Sequence, residues 1–311
     1  MKKLLLITCV VIAVPTLIIS VSLKNNKEIN YNLITKSTIR VKRNSKNKIE
    51  ILPFEEYLVG VVAGEMPVSF HEEALKALAV AARNYAYKKK RANKDKEYDV
   101  IDTTANQVYL DIETLKKSWG NEYIKNINKV RKSVHSTINE YILYKDQIID
   151  VFYFSTSNGY TENVVNVFKI EVPYLVSVES PWDKIESSTF LTTRSFDYND
   201  FCKKLEVEAK LMLDVKNIKR SISNRIISLE INGKLIDSLD MYKKFGLRST
   251  DFEIKQEKDK VIITTKGFGH GVGMSQYGAN GMAKEGYTYK EILTHYYKGT
   301  EVKEYRGKYE S

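Results

Sequence analysis

Phe54-Glu55-Glu56-Tyr57-Leu58-Val59-Gly60-Val61-Val62-Ala63-Gly64-Glu65-Met66-Pro67 is the stretch from which the fold reads outward. Tyr57, Leu58, Val61 and Val62 share one helical face, and Gly64 and Pro67 end that helix. Ser69 with Glu72 three residues later has the pattern of a capping box. It opens a second helix whose stripe is Leu75, Leu78, Ala79, Ala82 and Tyr85. Glu65 therefore falls in the elbow between two helices. Flanked by Gly, Met and Pro, its carboxyl is not on a solvated charged face. Partial burial there raises a carboxyl pKa, as a general acid at neutral pH requires. The competing reading is structural: Glu65 caps the next helix or pairs with Arg83.

Upstream, Lys2 and Lys3 precede Leu4–Leu23, a run without a charge. About twenty residues at about 1.5 Å each match a bilayer core of about 30 Å. An uncleaved membrane anchor over residues 1–23 is favoured over a cleaved signal peptide, for which Ser20-Val21-Ser22 offers small residues. Either reading exports the rest of the chain. Residues 24–44 are a polar tether. Downstream, strands dominate: Tyr141–Tyr144 and Ile148–Phe154 around a turn, Arg225–Ile231 before the hairpin signal Asn232-Gly233, and Phe252–Ile254 and Val261–Thr265 around Glu257–Lys260. Thr288 and Glu291 form a further capping box. Helices and antiparallel hairpins in separate blocks predict an α+β fold. The expected layout is a transmembrane helix, a mixed helix and antiparallel-sheet catalytic region over 45–182, an inserted second lobe over 183–255, and a return to the catalytic region over 256–311.

The net charge of +10 points to an anionic partner. The densest basic run, Lys88–Arg91, follows a helix and lines no aromatic platform, which argues against nucleic acid. Cys9 and Cys202 cannot build a disulfide framework. His71, His135, His270 and His295 show no short ligand spacing, so no metal or other cofactor is expected. No serine lies in a Gly-x-Ser-x-Gly elbow. Two polar segments remain. Gly267-Phe268-Gly269-His270-Gly271-Val272-Gly273 alternates glycine, which lets backbone or ligand approach closely. Its His270 is a second polar group at a site, a metal ligand, or a buried hydrogen-bonded histidine. Ser155-Thr156-Ser157-Asn158-Gly159-Tyr160-Thr161 suits hydrogen bonding and stacking with sugars, or is a polar turn.

Together these segments resemble the stage II sporulation protein D family. The resemblance rests on 54–67, on Ala74–Ala77 and Ala81–Ala86, and on Asn106-Gln107-Val108-Tyr109. Ser155–Thr161, Pro173-Tyr174-Leu175, Gly246-Leu247-Arg248-Ser249 and the glycine-rich run through Ala283 continue it in order. It implies a peptidoglycan lytic transglycosylase of endospore formers, in the mother-cell membrane with its catalytic domain facing the septal space. Such an enzyme cuts peptide-stripped strands between N-acetylmuramic acid and N-acetylglucosamine and leaves anhydro-muramic ends. It implies glycan strands, a sporulation amidase, engulfment membrane proteins and the membrane itself as partners. The family's catalytic glutamate falls on Glu65. Arg83, Gln107, Tyr109, Ser155, Ser157, Asn158, Tyr160, Thr161, His270, Ser275, Gln276 and Tyr277 are the expected substrate-binding residues. Some relatives carry a cysteine and a metal near Ser157-Asn158-Gly159; this chain has no cysteine there. A related group acts as amidase enhancers without cutting glycan, which leaves a non-catalytic scaffold as the alternative.

Overall fold

The computed structural model describes residues 27–29, 31 and 37–305. A hairpin of β1 (Thr38–Arg43) and β2 (Lys48–Pro53) opens the fold, and β3 (Val100–Ile101) joins β1 in parallel. Residues 38–43, expected in the tether, are thus a strand: Ile39 and Val41 alternate into the core. Pro53 ends β2, and α1 (Phe54–Glu65) starts at once.

Next comes α2 (Glu72–Ala92), the helix around which the first core is built. Alanines at 74, 77, 79, 81, 82 and 86 are all buried. Alanine favours the helix and lets neighbours approach its axis closely. Four helices use that access: α1, α4 (Tyr123–His135) after the short α3 (Ile112–Trp119), and the C-terminal pair α9 (Gln276–Lys284) and α10 (Tyr289–Tyr296). Asn84, a poor interior helix residue, is accounted for by its amide. It donates to Ile142 O at 2.8 Å and accepts from Ile142 N–H at 2.9 Å, pinning α2 to β4 (Glu140–Tyr144). That strand pairs with β5 (Gln147–Ile148) and with β14 (Glu301–Glu304). The α2 start differs from the capping box expected at Ser69. His71 is the cap, its Nδ1 accepting from Glu73 N–H, while the Glu72 carboxylate turns to Lys132 at 3.0 Å.

Two further pieces bring distant segments together. β6 (Tyr153–Phe154) pairs in parallel with β13 (Met274–Ser275), which lays the serine-rich segment beside the glycine-rich one. Short helices α5 (Val164–Phe168) and α6 (Asp183–Glu186) follow β6 in sequence, and α6 packs on α9.

A second core runs from Tyr198 to Ile263. It contains α7 (Tyr198–Leu205), the sheet β10–β9–β8 (Lys234–Asp237, Ile226–Ile231, Val215–Arg220), α8 (Ser238–Phe245) and the sheet β11–β12–β7 (Phe252–Glu257, Lys260–Lys266, Leu191–Asp197). Asn232 and Gly233 turn the β9–β10 hairpin with φ of 52° and 94°, the conformation that this dipeptide tolerates. β12 belongs to this core, because Val261 and Ile263 point into it, although the sequence reading placed it after the lobe.

The class is α+β, and the described residues contain no transmembrane helix. The span expected over Leu4–Leu23 lies outside the described residues. Among those described, no helix is long and apolar enough to cross a membrane. The architecture is corrected accordingly, and the single-pass membrane localisation is withdrawn with it.

Candidate active site

Glu65 ends α1, and its position follows from two glycines one turn apart. A Cβ on Gly60 would come within 2.3 Å of the Tyr109 ring, and one on Gly64 within 2.9 Å of Val108 O. Bare backbone at both positions lets residues 107–110 lie directly on α1. Val108 N–H then donates to Glu65 Oε1 at 2.7 Å, and the Gln276 amide approaches Oε2 at 3.5 Å. Burial raises the Glu65 pKa, against these two donors, which favour the carboxylate. The half-buried acid thus keeps its proton to higher pH than a solvated glutamate.

This carboxyl opens into a groove of about 570 Å³. The first core supplies Tyr85, Asn106, Phe152, Tyr153, Phe154, Ser155, His270 and Gln276, and the second supplies Leu239, Tyr242 and Thr250. Phe168 and Phe268 stand on its wall, each 39% exposed, Phe168 stacked on Phe152 and Phe268 under the Arg248 guanidinium. Among the described residues, Glu65 is the only carboxylate in this lining. The Tyr85 hydroxyl accepts from Asn106 at 3.0 Å and the Tyr153 hydroxyl from Gln107 at 3.0 Å. Burial, with the Glu65 charge adding to it, raises both phenol pKa values. His270 is ringed by Phe152, Phe154 and Phe168 at 5.5–6.1 Å. Its Nδ1 accepts from Val272 N–H at 3.0 Å, leaving the proton on Nε2. Burial, then the Arg225 charge, pushes its pKa down to about 4, so it is neutral at pH 7.

Another cavity of about 580 Å³ lies across α2, lined by Tyr87, Lys90 and Arg91. Its two acids are committed elsewhere, Glu55 to Arg83 at 2.7 Å and Asp99 to Arg40 at 2.6 Å. It offers no acid for proton transfer.

Comparison with known proteins decides the family. The model described as Stage II sporulation protein matches residues 42–144. Stage II sporulation protein D of Bacillus amyloliquefaciens is 44% identical over 272 residues, 86% of this chain and 79% of that protein. The Bacillus subtilis (strain 168) protein of the same description is 43% identical over the same spans. The chain belongs to the stage II sporulation protein D family. An amidase enhancer of Bacillus subtilis (strain 168) is also similar, 30% identical over 80% of this chain and 40% of its own length.

Of the residues read from this family's motifs, Glu65, Ser155, His270 and Gln276 line the groove. The others do not. Arg83 is fully buried, forked onto Glu55 at 2.7 and 3.0 Å. Gln107 is buried between the Tyr57 and Tyr153 hydroxyls. Tyr109 stacks on Tyr57 beneath the Arg43 guanidinium. Ser157 and Ser275 donate to buried Asp183, and Thr161 is tied to Val178. Asn158 bridges to Ser223 O and Asp251, joining the two cores. Tyr277 packs its ring on Phe70, and Tyr160 is exposed away from the lining. Missed by the sequence reading were Tyr85, Asn106 and Tyr153, which lie in or beside quoted motifs. Also missed was Asp183, fully buried and holding Ser157, Ser180 and Ser275. Leu239, Tyr242 and Thr250 carried no local signal, since only tertiary packing brings them to the groove. Among the described residues no group of His, Cys, Asp or Glu is arranged to hold a metal ion.

Proposed function

We propose that this protein is a lytic transglycosylase acting on peptide-stripped peptidoglycan strands during sporulation, with Glu65 as both acid and base. The observation that carries this reading is the single carboxyl, half-buried in an aromatic groove. Ordinary glycoside hydrolysis needs a second carboxylate, about 5–9.5 Å away, to activate water or attack the sugar. A lytic transglycosylase needs one. Protonated Glu65 gives its proton to the departing glycosidic oxygen. Ionised, it takes the proton of the muramic acid C6 hydroxyl, whose oxygen closes the 1,6-anhydro ring. The intramolecular attack has the proximity advantage without a held water. Val108 N–H and the Gln276 amide stabilise the ionised form between the two steps, and the proton taken from the C6 hydroxyl returns the acid to its starting form. The exposed parts of Phe168 and Phe268 suit the apolar faces of the sugars. An amidase that removes stem peptides is the partner this chemistry requires upstream.

The likeness to an amidase enhancer supports a second reading, a strand-binding scaffold that cuts nothing. One experiment separates the two. Purified protein is incubated with amidase-treated glycan and the products are read by mass. Anhydro-muramic ends are expected, lost by about 10²–10⁴ in rate in Glu65→Gln. Reducing ends would mean a hydrolase, and strand binding without new ends would mean a scaffold.

A further inference from the structure

Behind the glycine-rich loop lies a cation that the chemistry above does not use. Arg225 is 2% exposed, and its Nε, Nη1 and Nη2 have no hydrogen-bond partner among the described residues. It fills the space that a side chain at Gly271 would take: a Cβ there would lie 2.4 Å from Nε, on a backbone with φ of +84°. Three acids stand near it, and their oxygens are already satisfied. Glu162 accepts from Asn163 N–H, Asn166, Ser221 and Ser223. Asp251 accepts from Asn158 and Arg220, and Asp183 from the three serines. These carboxylates balance the charge of Arg225 without meeting its donors. A buried donor left unmet costs about 1–3 kcal/mol, and more when charged.

Arg225 also lines a small cavity of about 30 Å³, with Glu162, Asn166, Asp237, Ser238 and Thr250. Asp237 is turned onto Leu239 N–H at 2.7 Å, and Lys169 is exposed at the rim. The cavity therefore sets the unsatisfied donors of Arg225 beside a Glu162 carboxylate that other donors already hold, which favours a ligand made of acceptor oxygens. It shares Val167, Leu239 and Thr250 with the wall of the Glu65 groove, so the two spaces back onto one another. A water-sized group needs about 10–15 Å³ of such space, so the cavity accommodates the two oxygens of a carboxylate.

We propose that Arg225 is the receptor for a substrate carboxylate reaching in from the groove, the lactyl carboxylate of a muramic acid that carries no peptide. This rests on the glycan reading above and gives it a specificity determinant. A stem peptide turns that carboxylate into an amide, which offers one acceptor where the guanidinium fork takes two. Recognition of stripped strands is then chemical as well as steric.

The test uses defined muramic-acid oligosaccharides with free lactyl carboxylates and a matched set capped as methylamides. Binding to the full chain is measured by calorimetry, and cleavage by mass. Work at 1 M salt, where the screening length is about 3 Å, removes general attraction to the basic surface. Wild type should bind the free acid about ten- to a hundredfold more tightly, the range for hydrogen bonds to a charged group. Arg225→Met should abolish that ratio while still binding the amide, Arg225→Lys should keep part of it, and acetate should compete only against the acid form. Equal binding of both sets by wild type overturns the proposal, and that comparison needs no variant to fold. A Met variant that keeps the ratio, or that weakens both sets alike, also overturns it. Preferential binding of the acid without any cleavage would defeat the transglycosylase reading and leave the carboxylate receptor standing.

Discussion

Replacing Arg83 with methionine separates scaffold from site, because a motif reading makes it a substrate ligand and the structure gives it a different task. Its guanidinium is fully buried, with Nη2 2.7 Å and Nε 3.0 Å from the two Glu55 oxygens, and Nη1 and Nη2 near Glu140 O and Val134 O at 3.3 Å. Removing it strands the Glu55 carboxylate, 2% exposed, in the interior. Breaking one side of such a pair costs about 3–5 kcal/mol. Unfolding entropy of about 2.1 cal/mol/K per residue gives a chain of this size about 0.6 kcal/mol/K, so the melting midpoint should fall by about 5–9 °C. Arg83→Met with Glu55→Leu should recover part of the loss, since no lone charge remains. Melts followed by circular dichroism, with glycan affinity measured well below the midpoint, supply both readouts. A single variant that melts within about 2 °C of the parent yet binds glycan much more weakly would refute the reasoning and return Arg83 to the substrate.

Glu65 should show its cost in stability as well as in rate. Its pKa is raised in the folded state, so its contribution is full below the unfolded value of about 4.3 and is lost as pH rises through the folded one. Glu65→Gln should therefore raise the midpoint at pH 8 and leave it unchanged near pH 4; a gain largest in acid would contradict the burial argument. Over the same interval kcat/KM of the wild type should fall as pH rises, because cleavage starts from the protonated acid, and a flat profile would exclude Glu65 as the donor. Gly64→Ala drives a Cβ to 2.9 Å from Val108 O, at a cost of about 1–3 kcal/mol. It should displace Val108 N–H from Glu65 and lower turnover more than affinity; wild-type turnover would show that this hydrogen bond is dispensable.

Legibility in the sequence divides along a physical line. Local signals were sufficient for α1, α2, the Asn232-Gly233 hairpin and the Thr288–Glu291 capping box, all of which form. The Glu65 elbow was readable for the same reason, since Gly64 and Pro67 are neighbours in sequence. Ser69 failed as a cap because Asn280, 209 residues from His71, holds that residue's N–H at 2.8 Å and helps fix the cap at His71 instead. Motifs also conflate two kinds of polar residue. Arg83, Gln107, Ser157 and Ser275 have their donors and acceptors bonded within the protein, and they hold backbone segments around the groove. Glu65 has a face open to the groove, and Arg225 has donors with no partner among the described residues. Neither residue type nor spacing tells the two kinds apart. What distinguishes them is whether a residue's hydrogen-bonding capacity is satisfied by the fold, and that depends on side chains 26 to 92 positions away. By that criterion Arg225, in no motif the sequence reading quoted, is a stronger candidate for a ligand than most of the residues that were.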